Sequence, residues 1–269
     1  MSSESPSSVL LERQEGDLLW VTLNDPKRAN ALSPTLVSEL TATFSRDLRS
    51  EGVRAVVLCA AGKHFSAGAD LENLRNVAEA DIERNREDSR KLRDLFEAIL
   101  RQEALTIALV HGACVAGGCG LATACDFVIA ADEARFMYSE VRIGFVAALV
   151  ATYLTLRLRG SDIRELLLNP EFLTAGPALE IGLVNRIVPE VELRGAAEEL
   201  AGEILSKASS ESIGRTKRML LEVLGRDLDE RLDIAAEENA QSRLTEDCRI
   251  GVGTFLETKK SPNWRTRAR

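Results

Sequence analysis

A glycine-rich junction at residues 111–126 constrains this chain more than any other stretch. It reads His-Gly-Ala-Cys-Val-Ala-Gly-Gly-Cys-Gly-Leu-Ala-Thr-Ala-Cys-Asp, with an apolar run before it and small, helix-compatible residues after the glycines. A helix that starts at such a point leaves backbone N–H groups directed outward, where they stabilise negative charge. Glycine also lets a ligand approach the backbone closely. The junction therefore predicts an oxyanion hole and a carbonyl substrate.

The composition narrows the classes of function. The chain has 269 residues, of which 45% are hydrophobic, which suits one large domain or a main domain with a smaller appendage. Its formal net charge of -8 argues against nucleic acid or an anionic membrane as the main partner. Aromatic residues make up only 4% of the chain, which leaves little surface for stacking on bases. We therefore expect neither a nucleic-acid partner nor a membrane partner.

The cysteines and the chain start bear on metal binding and location. None of the five cysteines forms a Cys-x-x-Cys pair and only two histidines are present, so no zinc site is expected. The odd count and the apolar surroundings predict reduced, buried thiols. The N-terminus lacks the segments of a secretory signal, and the longest apolar-rich stretch, near residues 143–156, is too short for an ordinary membrane span. These patterns predict a cytoplasmic protein.

Strand-like and helix-like segments alternate along most of the chain. Apolar and β-branched runs predict strands at residues 18–23, 53–59, 105–110 and 127–131, with another near 136–138. Ser33-Pro34 has the chemistry of a helix start, and apolar residues follow at helical spacing. A second amphipathic helix is predicted over 81–100. This alternation predicts the α/β class.

The pattern changes from Glu192 onward. Residues 198–207, 212–224 and 228–242 are helical in pattern, and no strand signal separates them. We therefore expect a core domain over residues 1–195 and a helical C-terminal region over 196–269. Helices with apolar faces and no sheet of their own must pack on the main domain or on another subunit.

Five motifs, in this order, resemble those of the enoyl-CoA hydratase/isomerase (crotonase) family. They are an early CoA-contacting loop (24–32), a first oxyanion-hole motif (65–71), a second one (115–122, with Cys125-Asp126), a segment that closes the core domain (175–189), and the C-terminal stretch 255–264. One such motif is weak support, whereas all five in the family's order are strong support. The resemblance covers most of the chain.

The resemblance implies a spiral of ββα units with a helical trimerisation region, assembled as a trimer or a dimer of trimers. It also implies an acyl-CoA thioester substrate, with no metal and no cofactor beyond the CoA that the substrate carries. By position, Ala67 and Gly117 are the implied backbone N–H donors to the thioester oxygen. One such donor typically contributes about 3–4 kcal/mol of transition-state stabilisation.

The matching loops also imply residues that bind the substrate. These are Lys27, Arg28 and Ala29 in the early loop, Gly68, Ala69 and Asp70 in the first motif, and Gly118 and Gly120 in the second. Lys27 and Arg28 are expected to contact the phosphates of CoA, and Lys259 or Lys260 to reach in from the C-terminal segment. Asp70 either contacts the adenine or caps the helix that follows it, and the cap is the simpler interpretation.

The acid/base residue decides the reaction. Family hydratases with two catalytic carboxylates place one glutamate just after the glycine cluster, where this chain has Gly120. The second position corresponds to Glu140, which lies among apolar residues. A partly buried carboxylate has a raised pKa suited to proton transfer. Gly120 also makes room for a bulkier or carboxylated acyl chain.

One carboxylate serves either of two reactions. It can handle the protons of hydration, in which water adds to a 2-enoyl-CoA, or carry a proton between Cα and Cγ in a Δ3,Δ2 isomerisation. Resemblance along the whole chain favours the hydratase, whereas proton-transfer chemistry slightly favours the isomerase. The segment 144–150 replaces a glycine-rich turn, and it lines the acyl pocket or packs in the core.

Two other classes of function remain open. One is a hydrolase that uses His64 and Ser66, although residues two apart on an extended segment need not meet and no orienting acid is evident. The other is a non-catalytic acyl-CoA-binding protein. Glu140 and both oxyanion motifs argue against the second class.

Overall fold

A computed structural model describes residues 8–70 and 80–266 of the chain. The strands are β1 Leu10–Glu15, β2 Leu18–Leu23, β3 Ala55–Ala60, β4 Leu105–Val110, β5 Ala113–Val115, β6 Phe127–Ala131, β7 Arg135–Met137, β8 Leu173–Thr174 and β9 Arg186–Val188. The helices are α1 Pro34–Phe44, α2 Ile82–Arg101, α3 Gly117–Ala124, α4 Ala148–Leu154, α5 Gly160–Leu168, α6 Ala175–Glu180, α7 Leu193–Lys207, α8 Ser210–Glu222, α9 Leu228–Ser242 and α10 Glu246–Thr258.

The main sheet has six strands in the order β1-β2-β3-β4-β6-β9. β1 pairs antiparallel with β2, and the other neighbours are parallel. β4 is fully buried, as expected for a strand with helices on both faces. The predicted strands 105–110 and 127–131 are confirmed with the same bounds, and the α/β class is confirmed.

A second, three-stranded sheet runs in the order β5-β7-β8. β5 and β7 are parallel, with Ala113 opposite Arg135 and Val115 opposite Met137. The N–H of Ala116 extends this pairing by donating to the carbonyl of Met137 at 2.8 Å. Because both strands run in the same direction, the residues that follow β5 and those that follow β7 emerge at one edge of the small sheet.

Two helices, α1 and α2, pack against the main sheet, and each begins at a residue whose side chain caps it. Ser33 caps α1 by accepting a hydrogen bond from the N–H of Leu36 at 3.2 Å, with proline at the first helical position. Asp81 caps α2 in the same way through the N–H of Arg84. Both helices bury one apolar stripe, which in α2 consists of Leu95, Phe96 and Ile99.

The C-terminal region divides into two parts. Six residues of α7 are buried and join the hydrophobic core, so the boundary expected between residues 195 and 196 falls inside a core helix. In contrast, α9 and α10 have no buried residue. Large apolar side chains on and beside them are exposed, including Leu228 (69%), Leu244 (63%) and Leu256 (63%). Among the described helices, none combines the length and the apolar character needed to cross a bilayer.

Candidate active site

The start of α3 presents an open backbone donor. Ala116, just before the helix, has φ 49° and ψ -120°, a conformation that costs alanine about 1–3 kcal/mol. Two hydrogen bonds hold Ala116 in this conformation. The Ala116 N–H donates to the Met137 carbonyl, and the Ala116 carbonyl accepts from the N–H of Gly120. The N–H of Gly117, the first helical residue, donates to no acceptor in the described part of the chain. A strained residue therefore directly precedes a backbone N–H that has no acceptor among the described residues.

Glycine is required here by the close approach of segment 66–70. A Cβ on Gly118 would lie 2.7 Å from Cβ of Ser66, and one on Gly117 would lie 2.8 Å from a methyl of Leu32. A Cβ on Gly68, which has φ +80°, would lie 2.6 Å from the Val115 carbonyl oxygen and 3.2 Å from the Gly117 nitrogen. The two predicted oxyanion motifs are therefore packed directly against each other.

The backbone around Gly68 corrects one expected donor. The N–H of Ala67 already donates to the carbonyl of Ala29 at 2.9 Å, so it is occupied. Two residues later, the N–H of Ala69 has no acceptor among the described residues. Ala69 forms a parallel bridge with Leu32 in which the Gly68 carbonyl accepts from the Leu32 N–H. The two open donors near this junction are therefore Ala69 and Gly117, rather than Ala67 and Gly117.

Asn30 organises the loops behind these donors, and the motif analysis gave it no role. It is fully buried and adopts a left-handed conformation with φ 52°. Its amide donates to the carbonyls of Ala61 and His64, and its Oδ1 accepts from the N–H of Asp25 at 2.9 Å. A buried amide with three backbone partners fixes the early loop against the first oxyanion motif. An Asn between two alanines in a loop, which tolerates the left-handed region, was the available signal.

The charged residues expected to bind CoA differ in their exposure and in their ion pairing. Arg28 forms an ion pair with the carboxylate of Asp70, which is only 2% exposed. This pair joins the early loop to the first oxyanion motif. Lys27 is exposed beside it. The helix that Asp70 was expected to cap, and Leu71 of the same motif, lie outside the described residues. Lys259 and Lys260 are also exposed, at the end of α10.

Glu140 lies at the same edge of the small sheet as Gly117. It follows β7 by three residues and begins a short 3-10 helix, Glu140–Ile143. The residue is 8% exposed, and its Oε2 is buried without a hydrogen-bond partner among the described residues. Burial raises the pKa of this carboxyl, and a hydrogen bond from its own backbone N–H partly opposes the rise. A buried carboxylate oxygen with no partner is costly, and it is available to a substrate proton.

The space beside Gly120 is occupied, contrary to the expectation that it makes room for a larger acyl chain. A Cβ on Gly120 would lie 2.6 Å from Cζ of Phe96 and 3.1 Å from a methyl of Val150. Phe96 is fully buried and packs edge-on against Tyr153, with ring centroids 5.6 Å apart. An apolar wall therefore stands beside Gly120, the position that the resemblance assigns to the first glutamate of a two-carboxylate hydratase.

His64 and Ser66 do not form a nucleophile and base. The Ser66 hydroxyl is fully buried and donates to the Asn30 carbonyl at 2.8 Å. Nδ1 of His64 accepts from the N–H of Ala113 at 3.2 Å. Burial and nearby positive charges lower the pKa of His64. Each group therefore has a structural partner, and the hydrolase interpretation loses its basis.

The opposite end of α3 is held by several hydrogen bonds. The carboxylate of Asp126 accepts from the N–H and hydroxyl of Thr106 at 2.8 and 2.9 Å, and from Nζ of Lys217 at 2.7 Å. Arg157 donates to the carbonyls of Cys125, Asp126 and Leu183. The Cys125-Asp126 end of the second motif therefore joins α3 to β4 and α8, which is a structural role.

No group of three or more His, Cys, Asp or Glu side chains that could hold a metal ion occurs within residues 8–70 and 80–266. The five cysteines are free thiols, three of them buried. Burial raises the pKa of the Cys125 thiol to about 12, so it is protonated and unreactive at neutral pH.

Three comparisons with known proteins agree on one family. The family model described as enoyl-CoA hydratase/isomerase matches residues 13–267. A Thermus thermophilus protein named "Putative enoyl-CoA hydratase" is 41% identical over 256 residues, which cover 95% of this chain and 100% of that protein. Human mitochondrial Delta(3,5)-Delta(2,4)-dienoyl-CoA isomerase is 32% identical, over 95% of this chain and 81% of its own length. The crystal structure of a Mycobacterium smegmatis enoyl-CoA hydratase, 33% identical, superposes with a TM-score of 0.88 over 96% of this chain and 99% of that one.

Proposed function

Because this chain belongs to the enoyl-CoA hydratase/isomerase family, we propose that it adds water to a 2-enoyl-CoA thioester, with Glu140 as its single acid/base residue. The observation that carries the proposal is the buried, unpartnered Oε2 of Glu140 at the sheet edge that also holds Gly117. Relatives named as hydratases match nearly the whole chain, which supports hydration as the first candidate.

The oxyanion hole in this proposal consists of the N–H groups of Ala69 and Gly117. Both are open among the described residues and are packed close together through Gly68. They hold the thioester oxygen and stabilise the negative charge that it gains as the enolate forms. Each donor contributes about 3–4 kcal/mol if it behaves like a typical oxyanion-hole donor.

Glu140 moves one proton in two steps. The ionised carboxylate accepts a proton from water while the water oxygen bonds to Cβ of the substrate. The Cα–Cβ π electrons move toward the thioester, which becomes an enolate held by the two N–H groups. Glu140, now protonated, returns the proton to Cα, and the product is a 3-hydroxyacyl-CoA. The raised pKa of Glu140 suits a group that both accepts and returns a proton near neutral pH.

The apolar wall at Gly120 favours a second candidate, Δ3,Δ2-enoyl-CoA isomerisation. Phe96 and Val150 offer no hydrogen bond to an attacking water. An isomerase needs no such water, because Glu140 removes a proton from Cα and returns it to Cγ while the same oxyanion hole holds the dienolate. The resemblance to a dienoyl-CoA isomerase is compatible with this alternative.

The remaining parts of the proposal concern the substrate and the assembly. CoA enters as part of the substrate, and no separate cofactor takes part. In this proposal the exposed Lys27 contacts CoA phosphate, and Arg28 holds the loop through Asp70. The exposed apolar side chains of α9 and α10 support association of this chain into a trimer or a dimer of trimers.

Product mass separates the two reactions. Purified protein is incubated with crotonyl-CoA and, separately, with a 3-enoyl-CoA, and the products are separated by liquid chromatography and analysed by mass spectrometry. Hydration of crotonyl-CoA raises the mass by one water, which is the result that we expect. Conversion of the 3-enoyl-CoA without mass change, with no water added to crotonyl-CoA, would establish the isomerase instead. Turnover of neither substrate class would reject both candidates.

A further inference from the structure

The first turn of α3 has almost no side chains to hold it in place. It reads Gly117-Gly118-Cys119-Gly120, so Cys119 is its only residue with a side chain. Ala116, the residue before it, supplies no side-chain cap. Because glycine gives the backbone wide conformational freedom, three glycines do not by themselves fix the direction of an N–H group. The turn that contains the proposed oxyanion donor therefore depends on other contacts for its geometry.

The Cys119 thiol provides such a contact. It donates to the Cys114 carbonyl at 3.0 Å, and the Met137 carbonyl lies 3.8 Å from the same sulfur. Cys114 belongs to β5 and Met137 to β7. The Met137 carbonyl also accepts from the N–H of Ala116 at 2.8 Å. One side chain therefore ties the first turn of α3 to both strands of the small sheet.

The hydrogen bond from Cys119 to Cys114 spans the strained residue. Cys114 lies two residues before Ala116, and Cys119 lies two residues after Gly117. Ala116 keeps its φ of 49° only while the surrounding structure holds it there. Since Cys119 is fully buried, its thiol is directed into the protein rather than at a substrate. Any effect of Cys119 on the reaction therefore acts through the backbone of the turn.

We propose that Cys119 is a positioning residue, whose thiol holds the turn so that the Gly117 N–H points at the thioester oxygen. Without this hydrogen bond, Ala116 relaxes and the donor turns away. Oxyanion-hole donors act because they are already in place when charge develops, so a small change of direction lowers the rate. A thiol is a weak donor, so its loss costs less than loss of the Gly117 N–H itself. This inference rests on the proposed function, since it takes Gly117 to be an oxyanion donor.

Cys125, at the other end of α3, provides a matched comparison. It is only 2% exposed, and its thiol also contacts a backbone carbonyl, that of Leu121 at 3.6 Å. That carbonyl lies within the same helix, four residues earlier, so the contact joins α3 to no other element. Replacement of either cysteine removes a buried thiol from one helix, but only Cys119 is tied to the strands beside Ala116.

The kinetic test uses three variants and the active substrate of the panel. Cys119→Ala should lower kcat by about three- to tenfold, the rate equivalent of one net hydrogen bond, and leave KM nearly unchanged. Cys119→Ser keeps a donor and should restore most of the lost kcat. Cys125→Ala should lose stability, as any truncated core residue does, but keep its kcat. An equal loss of kcat in Cys119→Ala and Cys125→Ala would overturn the inference.

The carbonyl stretch of a bound thioester gives a readout that is independent of turnover. The probe is butyryl-CoA with ¹³C at the thioester carbonyl, measured by isotope-edited infrared spectroscopy. Hydrogen bonds to a carbonyl oxygen lower its stretching frequency, so binding to the wild type should shift the band downward. Cys119→Ala should lose part of this shift, and Cys125→Ala should keep it. If Cys119→Ala does not fold, Cys119→Val and Cys119→Thr replace it, because they have nearly the same shape and only threonine can donate.

The combined outcomes separate this inference from the proposed reaction. A full band shift and full kcat in folded Cys119→Ala would overturn the inference and leave the proposed reaction intact. A shift that depends on Cys119, without turnover of any substrate in the panel, would uphold the inference and reject the reaction. No shift in the wild type would overturn the inference together with the proposed oxyanion hole.

Discussion

Buried or partly buried polar groups lie at both ends of α3, but their hydrogen bonding differs between the two ends. At the start, the N–H of Gly117 and Oε2 of Glu140 have no partner among the described residues. At the end, the Asp126 carboxylate has three hydrogen bonds, and Arg157 donates to three carbonyls. Among the described residues, one short helix therefore has open polar groups at its start and hydrogen-bonded polar groups at its end.

This contrast predicts which substitutions near α3 affect turnover and which affect stability. Unpaired buried groups cost free energy, so a fold retains them where a ligand completes them. Paired groups stabilise the fold and offer nothing to a substrate. Substitutions at the start of α3 should therefore change turnover, and substitutions at its end should change stability.

The largest expected effect follows from replacing the single carboxylate. Glu140→Gln keeps the shape of the side chain but removes the proton carrier, so kcat should fall by about 10²–10⁴. The measurement is the rate of absorbance change with crotonyl-CoA or the active substrate of the panel. Asp132→Asn serves as a matched control, because this carboxylate is in the loop after β6. Unchanged turnover in Glu140→Gln would remove Glu140 from the mechanism.

The next effect distinguishes Ala69 from Ala67 as the oxyanion donor. Replacing Ala69 with lactic acid through nonsense suppression turns its N–H into an ester oxygen and keeps the methyl group. Loss of this donor should lower kcat by about 10²–10³.

The same exchange at Ala67 removes the hydrogen bond to the Ala29 carbonyl. It should lower the free energy of unfolding by about 1 kcal/mol and affect kcat less than the exchange at Ala69 does. A larger loss of kcat at position 67 than at position 69 would restore the donor that the sequence motif suggested.

Periodic and strongly apolar elements could be predicted from the sequence. Strands β4 and β6 have the predicted bounds, and the helix predicted to start at Ser33-Pro34 is present. The strand β1 was missed because Leu-Leu-Glu-Arg-Gln-Glu lies at the sheet edge and buries only its first residue fully. The helix α10 was also missed, since Gly251 and Gly253 weaken its helical pattern.

Parts of the site depend on contacts between distant segments, which the sequence pattern does not reveal. Glu140 and Gly117 could be selected as candidates because each belongs to a local motif, and their catalytic roles stay predictions. The occupation of the Ala67 N–H depends on a carbonyl 38 residues earlier in the chain, at Ala29. Likewise, Phe96 closes the space at Gly120 from a different helix. The proposed trimer stays a prediction.

At the other end of α3, Lys217→Met should lower stability. Nζ of Lys217 donates to the Asp126 carboxylate and to the Ala104 carbonyl, and its side chain is only 12% exposed. Loss of these bonds should lower the free energy of unfolding by about 1–3 kcal/mol, measured by urea denaturation. Lys207→Met, at a pair that is mostly exposed, is the control and should change stability by less than 1 kcal/mol. An equal change in both variants would contradict the buried junction.

The smallest expected effect is a pH dependence that originates at Glu140. Since burial raises the folded-state pKa, kcat/KM should rise with pH around a midpoint above the ordinary range of a glutamate. For stability, Glu140 costs nothing below its unfolded-state pKa, and the cost grows as pH rises through the folded-state pKa. Glu140→Gln should therefore equal the wild type in acid and exceed it near neutral pH. An advantage in acid alone would contradict the burial effect.

The most direct test of the contrast between the two ends of α3 measures kcat and the free energy of unfolding in the same two variants. We predict that Glu140→Gln loses turnover while its stability is unchanged or higher. We predict that Lys217→Met loses stability while the folded enzyme keeps its turnover. If both variants lost turnover and stability in the same proportion, the two ends would not be separable, and the account of α3 would be wrong.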